Sequence, residues 1–548
     1  MALRITVDGI STQVPPGTTL GSAIKQTRPE VKALAARIGG EEFNLGYLLK
    51  RDCAIHTLTF DSSAGRRVYE RSLVFLMLMA TRRLFPGKRF VVETSLGRGQ
   101  LVRPYIDRPF TKLDMQMIET EMHSIVQQDL PLKRERMPIE DAVAYFTQDG
   151  QMDKVRLLAY RKSNYFDVYR CGDMVEYLYG EMVPSTGYLD VFALHLRLPG
   201  MVLIMPNMAD PSQPSQFTDL PKLARALDRS ERWGEILNCN VAADLNDMIK
   251  QGKLREFIRV NEALHEKSIG SIADAALERG ARAIMIAGPS SSGKTTFTNR
   301  LAIQLRVHGL QPMLISLDDY YLDRDSIPVD ENGERDFEAI DTLDIPRFNR
   351  DLELLLMGEE VEMPIYSFKT GMREKKGHVV RLESGQPVLI EGIHGLNERM
   401  SESVPAEMKY KVYISALMPL NLDDHNRIRS TDARILRRLV RDYHNRNSSM
   451  EETLRMWPSV RRGEEKWIFP YQEEADFLFN SSLSYELAVV RKHIHPLLSA
   501  VPHESDMYAE SRRLVKFLNY FLDADVEDEI PPTSILREFI GGCTFYKT

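Results

Sequence analysis

The run Gly288-Pro289-Ser290-Ser291-Ser292-Gly293-Lys294-Thr295 satisfies the pattern GxxxxGK[ST] in full. Glycine lets the backbone turn tightly, so that successive N–H groups converge on phosphate oxygens. A lysine at position 294 brings positive charge to the β- and γ-phosphates, and the Thr295 hydroxyl is suited to ligating Mg²⁺. The chemistry implied is binding of a nucleoside triphosphate, with phosphates held by Gly288, Ser290, Ser291, Ser292, Gly293, Lys294, Thr295 and Thr296. A chance match in an ordinary turn is the competing explanation. It is disfavoured by the apolar run Ala283–Ala287 before the loop and by Phe297, Leu301 and Leu305 at helical spacing after it.

Two further segments end apolar runs with carboxylates: Ser316-Leu317-Asp318-Asp319-Tyr320-Tyr321 and Val388-Leu389-Ile390-Glu391-Gly392. An acid at the C-terminal end of a parallel strand faces the same crevice as a phosphate loop. There it can take a proton from an attacking hydroxyl or hold a metal ion. For Asp318 and Asp319 alone, capping the next turn is the commoner explanation; Glu391 at a second strand end favours the functional reading. Farther on comes an arginine-rich stretch: Arg427, Arg429, Arg434, Arg437, Arg438, Arg441 and Arg446. Positions 434, 437, 438 and 441 share one helical face, which is either a solvated surface or a cationic cover for phosphates.

The elements that must position these residues follow from hydrophobic pattern. From residue 281 onward, short apolar strands (Ala283–Ala287, Met313–Leu317, Val388–Ile390, Val412–Ala416, Phe477–Phe479) alternate with helical stretches. That alternation predicts a parallel sheet covered on both faces. Leu73–Leu84 predicts a buried helix ended by Pro86-Gly87, and strands are expected near Leu3–Val7, Val91-Val92 and Val202–Met205. The chain divides into 1–62, 63–230, a helical linker over 231–280, a catalytic domain over 281–500 and a helical extension over 501–548.

These motifs closely resemble the uridine kinase/phosphoribulokinase family, with GPSSSGKTT at 288–296, SLDDYY at 316–321, YSF at 366–368 and EGIHGL at 391–396 in the family's order and spacing. The resemblance implies ATP and Mg²⁺ as cofactors, Asp318 as base toward a sugar hydroxyl, and Thr295, Glu391 and Asp318 around the metal. It further implies Glu338 as a ribose contact and Tyr321 and Tyr366 beside a nucleoside. The arginine stretch resembles the family's lid, which would place Arg438 and Arg441 over the transferred phosphoryl group and Arg446 on the nucleotide. One departure matters: the histidine that reads a pyrimidine in uridine kinases is replaced by Gly371. Arg373 or His378 could take over that contact, so the base stays open.

The first half carries ITVDG at 5–9, PPGTTL at 15–20, RSLVFLMLMATRRLFPG at 71–87 and YGEMVPSTGYLDVFAL at 179–194. These resemble a TGS domain followed by the editing domain of threonyl-tRNA synthetase. The fold expected overall is therefore α/β: a P-loop kinase with a parallel sheet flanked by helices, preceded by a small β-grasp (TGS) domain and an α+β synthetase-like domain. The editing domain's HxxxH pair, cysteine and second histidine correspond here to Arg71, Phe75, Leu178 and Met182. None keeps the ligand chemistry, which predicts a scaffold or binding module without deacylase activity.

Composition bounds the remaining classes. A 43% hydrophobic, 27% charged chain of 548 residues with net charge −7 has no global positive field for nucleic acid or membrane. Four cysteines without CxxC spacing form no disulfide framework, and neither a secretory signal nor a bilayer-length apolar run is visible. A cytoplasmic nucleoside kinase with a small-molecule substrate and no membrane partner is the leading expectation. The alternatives are a kinase for a sugar phosphate or other metabolite, and an ATP-switched RNA- or ribosome-associated regulator. RNA contact through the N-terminal domains and assembly into a homo-oligomer stay open.

Overall fold

The computed structural model of the protein describes residues 2–161, 163–327, 335–367 and 369–545. The strand Ala283–Ala287 is buried at every position, and its alternating side chains explain why. Ala283 and Met285 enter one core with Ile315, Val388, Phe348 and Leu352. Ile284 and Ile286 enter another with Ile272, Phe297 and Leu301. A strand covered on both faces needs apolar residues throughout. Its sheet is wholly parallel, in the order Met313–Ser316, Val388–Glu391, Ala283–Ala287, Lys409–Ser415, Phe477–Asn480. The strand feeding the phosphate loop is central, so its C-terminal end opens between neighbours on both sides.

The stretch 231–280 holds the helices Ala242–Lys250 and Leu254–Glu278. Ile258, Ile269, Ile272 and Ala276 share the core of the phosphate-loop helix, so these helices form one cover of the sheet. The C-terminal residues join the same core through Leu514, Phe517, Leu518, Phe521, Ile535 and Phe539. The extension thus packs on its own chain.

At the other end, Leu3–Val7 pairs antiparallel with Ile10–Val14 and parallel with Cys53–Leu58. The resulting sheet of five strands, with the helix Leu20–Thr27 against it, is a β-grasp arrangement. The long helix Ser63–Leu84 follows, buried from Ser72 through Thr81. A four-stranded and a three-stranded antiparallel sheet surround it. The two halves of the chain are joined through polar contacts around the loop 421–429. Val92 N–H donates to Asp424 O at 2.8 Å, Asp424 N–H to Asp153 Oδ2 at 2.8 Å, and Tyr179 N–H to Asn426 Oδ1 at 2.8 Å. At the centre, Lys154, fully buried, reaches Glu176 at 3.0 Å and Asp423 at 3.2 Å. All four cysteines are unpaired thiols, and among the described residues no helix is long and apolar enough to cross a membrane.

Candidate active site

The phosphate loop forms where the central strand meets the helix Lys294–Val307. Gly293 caps that helix at φ +87°, and Ser291 adopts φ +59°, so the left-handed turn requires a glycine at 293. A Cβ at Gly288 would collide with the carbonyl of Ile414 on the neighbouring strand, which explains the first glycine. The hydroxyls of Ser291 and Ser292 are buried without a hydrogen-bond partner among the described residues, as suits groups turned toward a ligand. Lys294 Nζ rests 3.4 Å from Pro289 O.

The carboxylates arrive from adjacent strands. Ser316 pairs in register with Glu391, so Asp318, just past the first strand end, and Glu391 stand side by side at the edge. Thr295 Oγ1 donates to Glu391 Oε1 at 3.1 Å. Burial pushes the Glu391 carboxyl up to about 7, aided by Asp318 and opposed by Lys294 and Thr295. Burial likewise raises Asp318, where Lys294 opposes the shift. Glu338 is pushed to about 7 by burial and by Glu464, against Arg438 and Lys294. Three acids raised together around one lysine mark a pocket short of positive charge. A hydroxyl against a carboxylate is a hard-oxygen donor pair that fits Mg²⁺. The described residues contain no ready-made group of three acidic, histidine or cysteine ligands, and Mg²⁺ at nucleotide sites commonly takes its other ligands from phosphates and water.

On the acceptor side, Tyr321 and Tyr366 lie with ring centroids 5.6 Å apart. Tyr366 N–H donates to Asp319 Oδ1 at 3.2 Å, so Asp319 holds the acceptor loop while Asp318 faces Lys294. Phe368 of the YSF motif lies outside the described residues. Arg373 does not present free donors to a substrate. Its Nε donates to Tyr321 O at 2.9 Å, Nη1 to Asp344 Oδ2 at 2.9 Å and Nη2 to Tyr320 O at 3.0 Å. It clamps the loop, which corrects its assignment as a base contact. Gly371 sits at φ +71°, where a Cβ would lie 3.0 Å from Arg324 Nε. The turn itself therefore disfavours histidine there.

The helix Ser430–Arg446 divides its arginines in a way its periodicity hides. Arg434 and Arg437 are buried, the first ion-paired with Glu464 (Nη2–Oε2 2.7 Å) and the second with Glu486 (2.5 Å). They hold the helix against the loop rather than covering phosphates. Arg438 reaches the loop through a side chain, donating to Ser290 Oγ at 2.8 Å, where Arg434 donates to the Ser290 carbonyl at 3.1 Å. Arg438, Arg441 and Arg446 gather around the buried Asp442, at 3.2, 2.8 and 3.7 Å. Glu464 also accepts from Ser290 N–H at 3.1 Å. Sequence reading found neither Glu464 nor Asp442: Glu464 lies 30 residues from Arg434 with no motif to link them, whereas the i,i+4 spacing of Arg438 and Asp442 was a signal that could have found the second.

A third missed residue is Glu538. Its carboxylate accepts from Thr296 Oγ1 at 2.7 Å, and Ile535 covers Gly293 so closely that a Cβ there would collide with it. In the N-terminal half, Phe75 and Met182 are fully buried in the core, while Leu178 and Arg71 line a small cavity beside it. His493 and His495 are occupied by Glu527 at 3.2 Å and Asn519 at 2.9 Å.

Residues 283–487 match the Phosphoribulokinase / Uridine kinase family. The N-terminal part matches threonine–tRNA ligases. The ligase of Symbiobacterium thermophilum is 32% identical over 190 residues, 34% of this chain and 29% of that enzyme. The ligase of Azoarcus sp. is 35% identical over 163 residues, 30% of this chain and 26% of that enzyme. The chain thus spans under a third of the length of these relatives. Among solved structures, a protein described as a possible uridine kinase from Bacillus stearothermophilus aligns at TM-score 0.25 and 19% identity, over 36% of this chain and 89% of that one. D-glycerate 3-kinase from Cryptococcus neoformans aligns at TM-score 0.22 and 17% identity, over 51% and 89%.

Proposed function

We propose that this protein transfers the γ-phosphoryl group of ATP to a hydroxyl of a small molecule, with the sugar hydroxyl of a nucleoside as acceptor. The observation that carries this reading is the convergence of Asp318, Glu391 and Lys294 at adjacent strand ends beside the phosphate loop. Asp318 takes the proton as the acceptor oxygen forms its bond to the γ-phosphorus, the bond to the bridging oxygen breaks, and ADP leaves. Burial raises its proton affinity, which suits a base. Lys294, beside Pro289 O, and Arg438, on Ser290 Oγ, neutralise charge on the transferred group. Thr295 and Glu391 would hold Mg²⁺, whose contribution is to neutralise the β- and γ-phosphates.

The acceptor side favours a neutral molecule over a sugar phosphate, because Arg373 is spent on Asp344 and two backbone carbonyls. Tyr321 and Tyr366 supply flat apolar surface for a base, and Glu338 supplies an acceptor for ribose hydroxyls. The N-terminal half, a TGS-like β-grasp and a synthetase-like module, serves as scaffold or binding unit; a role in RNA binding would show as salt-sensitive association with tRNA.

The test is phosphate transfer from Mg-ATP to a panel of nucleosides and sugar phosphates, with Lys294→Ala as control. Product on a nucleoside that disappears in the variant supports the reading. ATP binding without product on any acceptor would transfer the case to the ATP-switched, RNA-associated alternative.

A further inference from the structure

A cavity of about 70 Å³ lies between the helix Ser63–Leu84, the loop 421–429 and the C-terminal helix Tyr508–Leu518. Five arginines line it (Arg67, Arg71, Arg427, Arg429, Arg513), against the acids Glu70 and Asp432. The acids are already heavily used. Glu70 is buried and accepts from Arg427 Nη2 at 2.8 Å, from Arg429 and from Gln100. Asp432 takes both arms of Arg513, at 2.9 and 2.8 Å. Arg67 shares Glu510 with Arg513, at 3.4 and 2.6 Å, and reaches Glu42 at 3.7 Å.

Arg71 is left over. Among the described residues it makes no ion pair; its Nη1 donates only to the backbone carbonyl of Glu181. Its guanidinium lies against Gly180, where a Cβ would stand 2.6 Å from Cζ. Even with Glu42 and Glu510 counted, five guanidinium groups meet four carboxylates. The Nε–H groups of Arg67 and Arg427 are buried without a hydrogen-bond partner among the described residues. The 17-residue helix Ser430–Arg446 also begins here. Its N-cap is Arg429, with no side-chain cap, and Asp432 N–H is taken by Arg429 O at 2.9 Å, so what the first turn adds is the positive end of the helix dipole.

An excess guanidinium, unpaired donors and an uncapped helix start around one small polar cavity share a single remedy, an anion with several acceptor oxygens. We propose that this cavity binds a phosphate group, either inorganic phosphate or the phosphate of a small monoester, separately from the nucleotide site. The cavity is roomy enough for one such group, and its half of the wall from the loop 421–429 couples it to the start of the helix that carries Arg438.

The experiment uses the full chain in chloride buffer and measures binding of radiolabelled inorganic phosphate by equilibrium dialysis, with glycerol 2-phosphate as competitor. The expected result is one saturable site that persists in Lys294→Ala, where the nucleotide loop is disabled, and weakens about tenfold or more in Arg71→Gln. Displacement by the monoester at lower concentration than by phosphate would identify the esterified form; equal or weaker displacement would identify the free ion. Loss of the site in Lys294→Ala, or undiminished binding in Arg71→Gln, would overturn the proposal. Should Arg71→Gln not fold, crystals of the unsubstituted protein soaked in tungstate decide: anomalous density between Arg71 and Arg429 supports the site, and density at the phosphate loop alone overturns it. Neither readout depends on phosphotransfer, so failure of the kinase reading leaves this result intact.

Discussion

Glu538 accepts hydrogen bonds from both the backbone N–H and the hydroxyl of Thr296, at 3.3 and 2.7 Å. Thr296 opens the phosphate-loop helix, where free N–H groups and the helix dipole favour an anion. A carboxylate from the C-terminal segment therefore holds a position that the phosphates of a nucleotide would use. Replacing Glu538 with Gln removes a negative charge facing incoming phosphates while keeping its shape. ATP affinity should rise by about three- to tenfold, on the order of 1 kcal/mol. Titration with a fluorescent nucleotide checks this; unchanged affinity would mean that Glu538 and ATP do not compete.

Lys294→Ala and Asp318→Asn should each lower turnover by about 10² to 10³. They should differ in binding: loss of Lys294 weakens ATP, whereas Asp318→Asn leaves ATP affinity near normal and removes the base. Steady-state rates with a separate nucleotide titration distinguish them. Near-normal turnover in Asp318→Asn would sink the assignment of that residue.

The pH response follows from Glu391. Its carboxyl stands at about 7 in the fold against an ordinary 4.5, so the folded state favours the proton-bound form. That contribution to stability is present below the ordinary value and is lost as pH rises through about 7. Mg²⁺ requires the ionised form and competes with the proton. Mg-ATP affinity should therefore rise about tenfold from pH 6 to pH 8. In Glu391→Gln the rise should flatten, and a slope unchanged in that variant would assign the proton elsewhere, Glu338 being the next candidate.

Lys154 joins the two halves of the chain through Glu176 and Asp423, all three buried. Lys154→Ala removes the ammonium that Glu176 and Asp423 share, leaving Glu176 with Arg82 at 3.3 Å and Asp423 without an ion pair among the described residues. Unfolding free energy should fall by about 3–5 kcal/mol, read by urea denaturation. Two separate transitions in the variant, where the parent shows one, would show that this pair couples the halves.

The N-terminal module should not hydrolyse mischarged tRNA. Phe75 and Met182 are sealed in the core and Arg71 lies against Gly180, and none of the three is a metal ligand or a nucleophile. An assay with Ser-tRNA and the full chain checks this, and turnover of that substrate would refute it.

Much of the site was legible in the chain. The phosphate loop, Asp318 and Glu391 depend on local rules: a turn that only glycine makes, and an apolar run whose end marks a sheet edge. The strands expected at Ala283–Ala287, Met313–Leu317 and Val388–Ile390 lie within a residue of Ala283–Ala287, Met313–Ser316 and Val388–Glu391. The strand expected over Val412–Ala416 instead spans Lys409–Ser415. Its charged start escaped the apolar pattern because Lys409 and Lys411 are buried with their ammonium groups paired to Glu398.

By itself the sequence determined the phosphate loop and the order of strands and helices around it, because each is written in neighbouring residues or in a short period. Only the tertiary structure decided which arginines are held by buried acids and which by the side chains of the phosphate loop. Arg434, Arg437 and Arg438 share a helical face, yet the first two are ion-paired with Glu464 and Glu486 while the third donates to the Ser290 hydroxyl and pairs with Asp442. It also decided that Arg373 clamps a loop and that Glu538 reaches Thr296. Those outcomes depend on partners distant in the chain, and ion pairing and burial are properties of what packs against a residue, which periodicity does not encode.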